Sequence, residues 1–182
     1  MEIEQTGLKD CLIIKPRIFE DPRGYFFESF NRNTFEEKTG MPGNFVQDNQ
    51  SFSSYGVIRG LHAQAGEFAQ AKLVSVIRGE VLDVAIDARP GSQTYGKHFS
   101  IKLNAKNKLQ VYIPRGFVHG FSVLSETAEF LYKCDNFFNK ASEIGVIYND
   151  SDLNIDWLIP EEHQAVSDKD LLLKPFSALH HI

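Results

Sequence analysis

Pro114-Arg115-Gly116-Phe117-Val118-His119-Gly120 compresses a turn and the start of a strand into seven residues. The proline and glycine make the turn. The apolar residues after it suit a strand, and His119 leaves near that strand's beginning. The same pattern spreads outward in both directions. On the N-terminal side Leu109, Val111 and Ile113 share one face of an alternating run, and Phe99, Ile101 and Leu103 share one face of His98 to Leu103. Earlier still, Leu82, Val84 and Ile86 lie on one side of Val81 to Asp87, with Asp83 and Asp87 on the other. On the C-terminal side Ala128, Phe130 and Tyr132 share a face. Lys72 to Ile77 is apolar on both faces, so alternation leaves the direction of Lys72 open. Glycine and proline break these runs at short intervals, as in Pro22-Arg23-Gly24, Met41-Pro42-Gly43 and Pro90-Gly91. Many short strands between such turns predict an all-β sandwich or barrel.

The 182 residues suffice for one domain, expected to span residues 1–182. An N-terminal extension is expected over about residues 1–18, and a C-terminal flap over about residues 158–182. One short helix is predicted from Thr34 to Thr39, with Asn33 as its cap, Glu36 as a capping-box partner and Gly40 at its end. Ile155-Asp156-Trp157 reads as a packed segment, and Pro160 to Leu173 as holding a helical turn or two. Composition is ordinary for a globular chain, 42% hydrophobic and 24% charged. No apolar run approaches a membrane span and no signal peptide opens the chain, so a cytoplasmic location is expected. Cys11 and Cys134 form no CxxC pair and read as reduced, buried thiols. The net charge of −5 argues against a long polyanion such as nucleic acid. A small anionic ligand needs only a few cations, which Arg23, Arg59 and Lys72 can supply.

A P-x-G-x-x-H turn running into a strand is the pattern of the second cupin motif. Metal-binding cupins carry an H-x-H pair in their first motif. The corresponding stretch here is His62-Ala63-Gln64, without the second histidine. His62, His119 and Glu80 do not make an evident ligand set, so a cupin-like barrel without a catalytic metal is the expectation. The segment from Asn49 to Gln64 also sets Arg59 three residues before His62, a permanent cation beside a base that titrates near neutrality. Taken singly, a strand histidine, a nearby arginine or a core tyrosine is more often structural. Together with the motif around His119 they point to a site in the barrel's mouth.

The chain resembles the dTDP-4-dehydrorhamnose 3,5-epimerase family. The similar segments are residues 19–28 (FEDPRGYFFE), 47–51 (QDNQS), 56–62 (GVIRGLH), 72–74 (KLV), 78–87 (RGEVLDVAID), 114–121 (PRGFVHGF) and 125–134 (SETAEFLYKC). They run in order from about residue 19 to about residue 157.

The resemblance implies a cupin-type antiparallel jelly roll, mainly β with a few short helices, and cofactor-free inversion of C3 and C5 of a dTDP-linked 4-keto-6-deoxyhexose. By family position His62 is the base, Asp170 orients it, Lys72 meets the enolate oxygen with His119 nearby, and Tyr132 returns a proton to the opposite face. Arg23 and Arg59 would grip the diphosphate. Glu28, Gln47, Asn49, Glu143 and Lys169 match further binding positions. Phe138 stands where the family commonly has a stacking tyrosine, and Ala63 where it usually has an aromatic residue. The family forms homodimers that exchange an N-terminal strand. Three alternatives remain at this point: epimerisation at C3 alone, a metal-dependent cupin oxygenase, and a non-catalytic nucleotide-sugar binding module.

Overall fold

The computed structural model describes residues 1–179. Its elements run β1 (Glu2–Gln5), β2 (Leu12–Lys15), β3 (Phe19–Asp21), β4 (Gly24–Phe26), α1 (Arg32–Thr39), β5 (Gln47–Ser54), β6 (Val57–Gln64), β7 (Lys72–Arg78) and β8 (Glu80–Asp87). They continue with β9 (His98–Asn104), β10 (Gln110–Ile113), β11 (Phe117–Val123), β12 (Thr127–Cys134), β13 (Glu143–Gly145), β14 (Ala165–Val166) and α2 (Asp168–Leu171). Two sheets result. One has the order β1-β2-β10-β7-β12-β5, the other β13-β6-β11-β8-β9 with β14 parallel to β6. This is the mainly β, cupin-type jelly roll that the family resemblance implied.

The sheets close on a shared core. Val74 and Val76 of β7, Val111 and Ile113 of β10, and Ala128 and Phe130 of β12 meet Val81 and Ala85 of β8 and Phe117 and Phe121 of β11. A second apolar layer lies outside the second sheet. There Leu82, Val84 and Ile86 pack with Ile58, Val118, Leu153, Trp157 and Phe176. The C-terminal tail therefore covers one face of β8 while the barrel interior covers the other. That is why Asp83 and Asp87 are 1% and 0% exposed and point inward. A third cluster sets Phe35 of α1 against Leu12, Ile14, Leu73 and Tyr112. β7 thus has apolar partners on both faces.

Three local features differ from the sequence expectation or extend it. The helix cap is Asn31, not Asn33: its side chain accepts from the Thr34 amide, so α1 begins earlier than predicted. Glu36 does not reach back to close a capping box; it accepts from Arg32 and from the Gly43 amide. Gly40 ends the helix as expected, with φ 70°. Residues 1–18, expected as an extension, contain a β1–β2 hairpin paired antiparallel to β10 that buries Leu12 and Ile14. The following β3–β4 hairpin pairs only with itself and is exposed throughout. The described part of the expected flap is packed down, with Ile159, Asp170 and Phe176 all buried; residues 180–182 lie outside the described residues. Cys11 and Cys134 are both free and buried. No helix among the described residues is long and apolar enough to cross a membrane.

Candidate active site

β6 and β11 approach closely because two glycines face each other. A Cβ on Gly60 would sit 2.6 Å from the Gly120 Cα, and Gly60 has φ +126°. The register that follows places His62 directly opposite His119. Opposed residues in an antiparallel pair share a face, so both imidazoles enter the same cavity, of about 530 Å³.

Each histidine uses Nε2 on a carboxylate. His62 Nε2 lies 2.7 Å from Asp170 Oδ1. Asp170 is 4% exposed and sits on α2, whose N-cap, Ser167, accepts from the Asp170 amide. β14, paired with Val57 and Ile58, carries that short helix to the mouth of the barrel. His119 Nε2 lies 2.7 Å from Asp83 Oδ2, and its ring stacks on Phe130.

The facing sheet supplies Tyr132 from β12 and Lys72 from β7. Lys72 shares its strand face with Val74 and Val76, so it points into the barrel, and its Nζ lies 5.8 Å from the centre of the Tyr132 ring. Burial pushes the Lys72 ammonium down from its usual range, while Asp83 and Glu143 oppose that shift. Burial also raises the Tyr132 phenol, which therefore keeps its proton at neutral pH. Tyr132 and His62 line one cavity from opposite sheets. A base with an oriented carboxylate, a phenolic acid across from it and an ammonium lining the same cavity can move protons on carbon next to a carbonyl.

A second chamber, of about 230 Å³, shares His62, Lys72 and Tyr132 with the first and adds Gln47, Asn49, Ala63, Phe138 and Glu143. Gln47 donates to the Asn49 amide oxygen and accepts from the Phe138 backbone, which holds these groups in one arrangement. Phe138 is 54% exposed, so its ring is free to cover a ligand. Arg59 and Lys169 line the larger cavity. Arg59 bonds Ser53 and the Phe52 carbonyl, and Lys169 pairs with Glu143 across the two chambers.

Arg23 and Glu28 are not brought to either chamber within one chain. Arg23 pairs with Asp21 on the exposed β3–β4 hairpin, and Glu28 accepts from Asn31. Glu80 lies at the far end of β8 from His119's partner Ala85 and accepts from Asn104, away from both histidines. Among the described residues no three His, Cys, Asp or Glu groups converge on a metal position. Two site residues escaped the sequence reading. Asp83 is the carboxylate behind His119, and Ser51 lines the larger cavity with its hydroxyl unpaired among the described residues. The available signal for Asp83 was a carboxylate alternating with Val81 and Ala85, residues with no reason to face water.

Fold and site together define a cupin-type barrel with a cavity lined by titratable side chains. The family model for dTDP-4-dehydrorhamnose 3,5-epimerase matches residues 5–178. A dTDP-4-dehydrorhamnose 3,5-epimerase of Shigella flexneri is 49% identical over 94% of this chain and 93% of its own. The crystal structure of one from Elizabethkingia anophelis NUHP1 is 60% identical, covers 97% of both chains and superposes with a TM-score of 0.94. A 3,5-epimerase from Legionella pneumophila Philadelphia 1, solved in complex with dTDP-4-keto-L-rhamnose, is 45% identical with a TM-score of 0.94, covering 98% of this chain and 94% of its own. The chain belongs to the dTDP-4-dehydrorhamnose 3,5-epimerase family and is an isomerase.

Proposed function

We propose that this protein inverts C3 and C5 of dTDP-4-dehydro-6-deoxy-D-glucose, giving dTDP-4-dehydro-L-rhamnose, with the chemistry carried by its own side chains. The observation behind this reading is the His62–Asp170 pair facing Tyr132 across a cavity that Lys72 enters. The C4 ketone makes the protons on C3 and C5 removable. His62 takes each proton, and the electron pair moves onto the C4 oxygen as an enolate. Lys72, with His119 beside it, meets that oxygen. Tyr132 delivers a proton to the opposite face of the ring and the ketone reforms. Asp170 keeps His62 in the right tautomer and stabilises its imidazolium.

Arg59 and Lys169 offer charge to the diphosphate, Gln47, Asn49 and Glu143 polar contacts, and Phe138 a stacking face. Arg23 and Glu28 complete the site only from a second copy. The exposed β3–β4 hairpin, with Phe19, Tyr25 and Phe26 all at least half exposed, suits docking on a partner in a homodimer. The buried reduced thiols and this substrate class go with a cytoplasmic location.

Heavy water tests the reaction. Substrate turned over in D2O is expected to carry deuterium at both C3 and C5. Label at C3 alone would reduce the protein to a C3 epimerase, an outcome that would draw attention to Ala63 and Phe138 in the smaller chamber. Turnover abolished by a chelator and restored by iron would sink the assignment to side chains.

A further inference from the structure

Asp83 is hard to explain as a packing residue. It lies on the barrel face of β8 between Val81 and Ala85, in a core of valines and phenylalanines, and is 1% exposed. A valine would extend that row at no cost in desolvation, whereas an isolated carboxylate there is expensive. Its bond to His119 Nε2 is 2.7 Å long. The phenyl ring of Phe130, itself stacked on Phe121 at 4.3 Å, backs the imidazole and limits its rotation. With Nε2 committed, Nδ1 is the nitrogen of His119 left for a ligand in the cavity. The same carboxylate also acts on Lys72 across the barrel.

We propose that Asp83 is a positioning residue for the epimerisation: its bond to Nε2 favours a His119 protonated on both ring nitrogens, so that Nδ1–H and the Lys72 side chain converge on one substrate oxygen. The inference rests on the epimerase reading above. The site then holds two histidine–carboxylate pairs with opposite tasks. Asp170 serves the histidine that takes protons from carbon, and Asp83 serves the histidine that receives the charge those protons leave behind. Without the carboxylate, His119 loses the partner of its Nε2–H, and Lys72 loses one of the negative charges that oppose the downward shift from burial.

Lys72 is faced by Tyr132 and Cys134 from β12, Asp83 from β8 and Glu143 from β13, with His62, His119 and Asp170 lining the same cavity. Burial already pushes its ammonium down, so removing the Asp83 charge pushes it further in the same direction. The alkaline limb of the kcat/KM profile therefore moves to lower pH in Asp83→Asn.

The test is Asp83→Asn, read by deuterium incorporation, pH profile and dTDP binding. Turnover should fall on the order of 10²-fold, the scale for losing one oxyanion donor, with dTDP affinity nearly unchanged and the alkaline limb shifted down. Wild-type turnover, or lower turnover with an unmoved limb, overturns the proposal. The unaltered protein gives a check that needs no variant: nitrogen-15 NMR should show His119 protonated on both ring nitrogens, and a bare Nδ1 or Nε2 overturns the proposal even if Asp83→Asn fails to fold. His62→Ala separates this inference from the reading beneath it. Turnover surviving in His62→Ala removes the assigned chemistry, whereas inactive His62→Ala beside an unaffected Asp83→Asn removes only the role of Asp83.

Discussion

Asp83 and Asp87 leave the same face of β8 four residues apart, and both are shut away from solvent. Their surroundings differ sharply. Asp87 accepts from the Arg89 guanidinium on both oxygens, from the Arg89 amide, and from the hydroxyls of Ser92 and Thr94. Arg89 in turn bonds Asp10 and the Lys9 carbonyl and lies over the Phe117 ring. That network ties the N-terminal segment to the closed end of the barrel. Asp83 has His119 for a partner and a cavity beyond it. A buried carboxylate saturated by donors holds a structure together; one left with a single titratable partner beside a cavity is available for chemistry. On the proposed reading one strand serves stability at one end and the reaction at the other.

The comparison breaks most visibly if site residues prove structural. His62→Ala and Tyr132→Phe should each lower turnover by roughly 10²–10⁴-fold, the usual contribution of a general acid or base. Thermal melting and dTDP binding should stay close to those of the parent. A large loss of melting temperature in either variant would mean that the open end also carries the fold.

Asp87→Asn should do the reverse. It leaves the partly buried Arg89 facing a neutral group, at a cost of about 2–3 kcal/mol. That corresponds to roughly 5–10 °C in melting temperature for a domain of this size. The folded fraction should turn over normally. Activity lost in proportion greater than the folded fraction would join the two ends into one unit.

Acid titration sharpens the same contrast without a mutation. Burial raises the Asp87 carboxyl, but the bonds from Arg89, Ser92 and Thr94 outweigh it and pull the group from 3.8 to about 2. A carboxylate depressed in the folded state adds stability that is complete above its unfolded value and disappears as pH falls through its folded one. Stability from this group should therefore be flat above about pH 4 and fall between about pH 4 and 2, by on the order of 2 kcal/mol. Asp87→Asn should abolish that portion of the acid dependence; an unchanged acid limb would place the titrating group elsewhere.

The two ends were also unequally legible. The strands stood out because alternation in β9, β10 and β12 faces one core. β8 misleads because the C-terminal tail covers its outer face, so the apolar side and the acidic side are both interior. Nothing local announces that Trp157 and Phe176 will arrive there. β7 hid the direction of Lys72 for a related reason, its second face being taken by Phe35 and Tyr112. Asn33 is a chemically suitable cap, but the Thr34 amide bonds to Asn31 instead. Asp170 lies 108 residues from His62, a distance no motif spacing bridges, and it entered the reading through family resemblance. Glu28 entered the same way and Arg23 first as one of the few available cations, and within one chain both stand apart from the cavity.

The smallest effect tests how the open end is anchored. Asp83 rides on a central strand, but Asp170 rides on a four-residue helix too short to hold itself. Ser167 is its cap, and the bond it accepts is from Asp170's own amide, 3.2 Å away. Losing an N-cap costs about 1 kcal/mol, and here that loss falls on the residue bonded to His62, proposed above to orient it. Ser167→Ala should accordingly lower kcat by only about fivefold, the equivalent of that energy, with KM and melting temperature nearly unchanged. Asp170→Asn should be worse, because it removes the carboxylate itself rather than its support. Equal losses in the two variants would mean that the cap is as necessary as the charge. No loss in Ser167→Ala would mean that the β14 pairing alone holds Asp170 in place, and that the two carboxylates of this site are anchored with the same firmness.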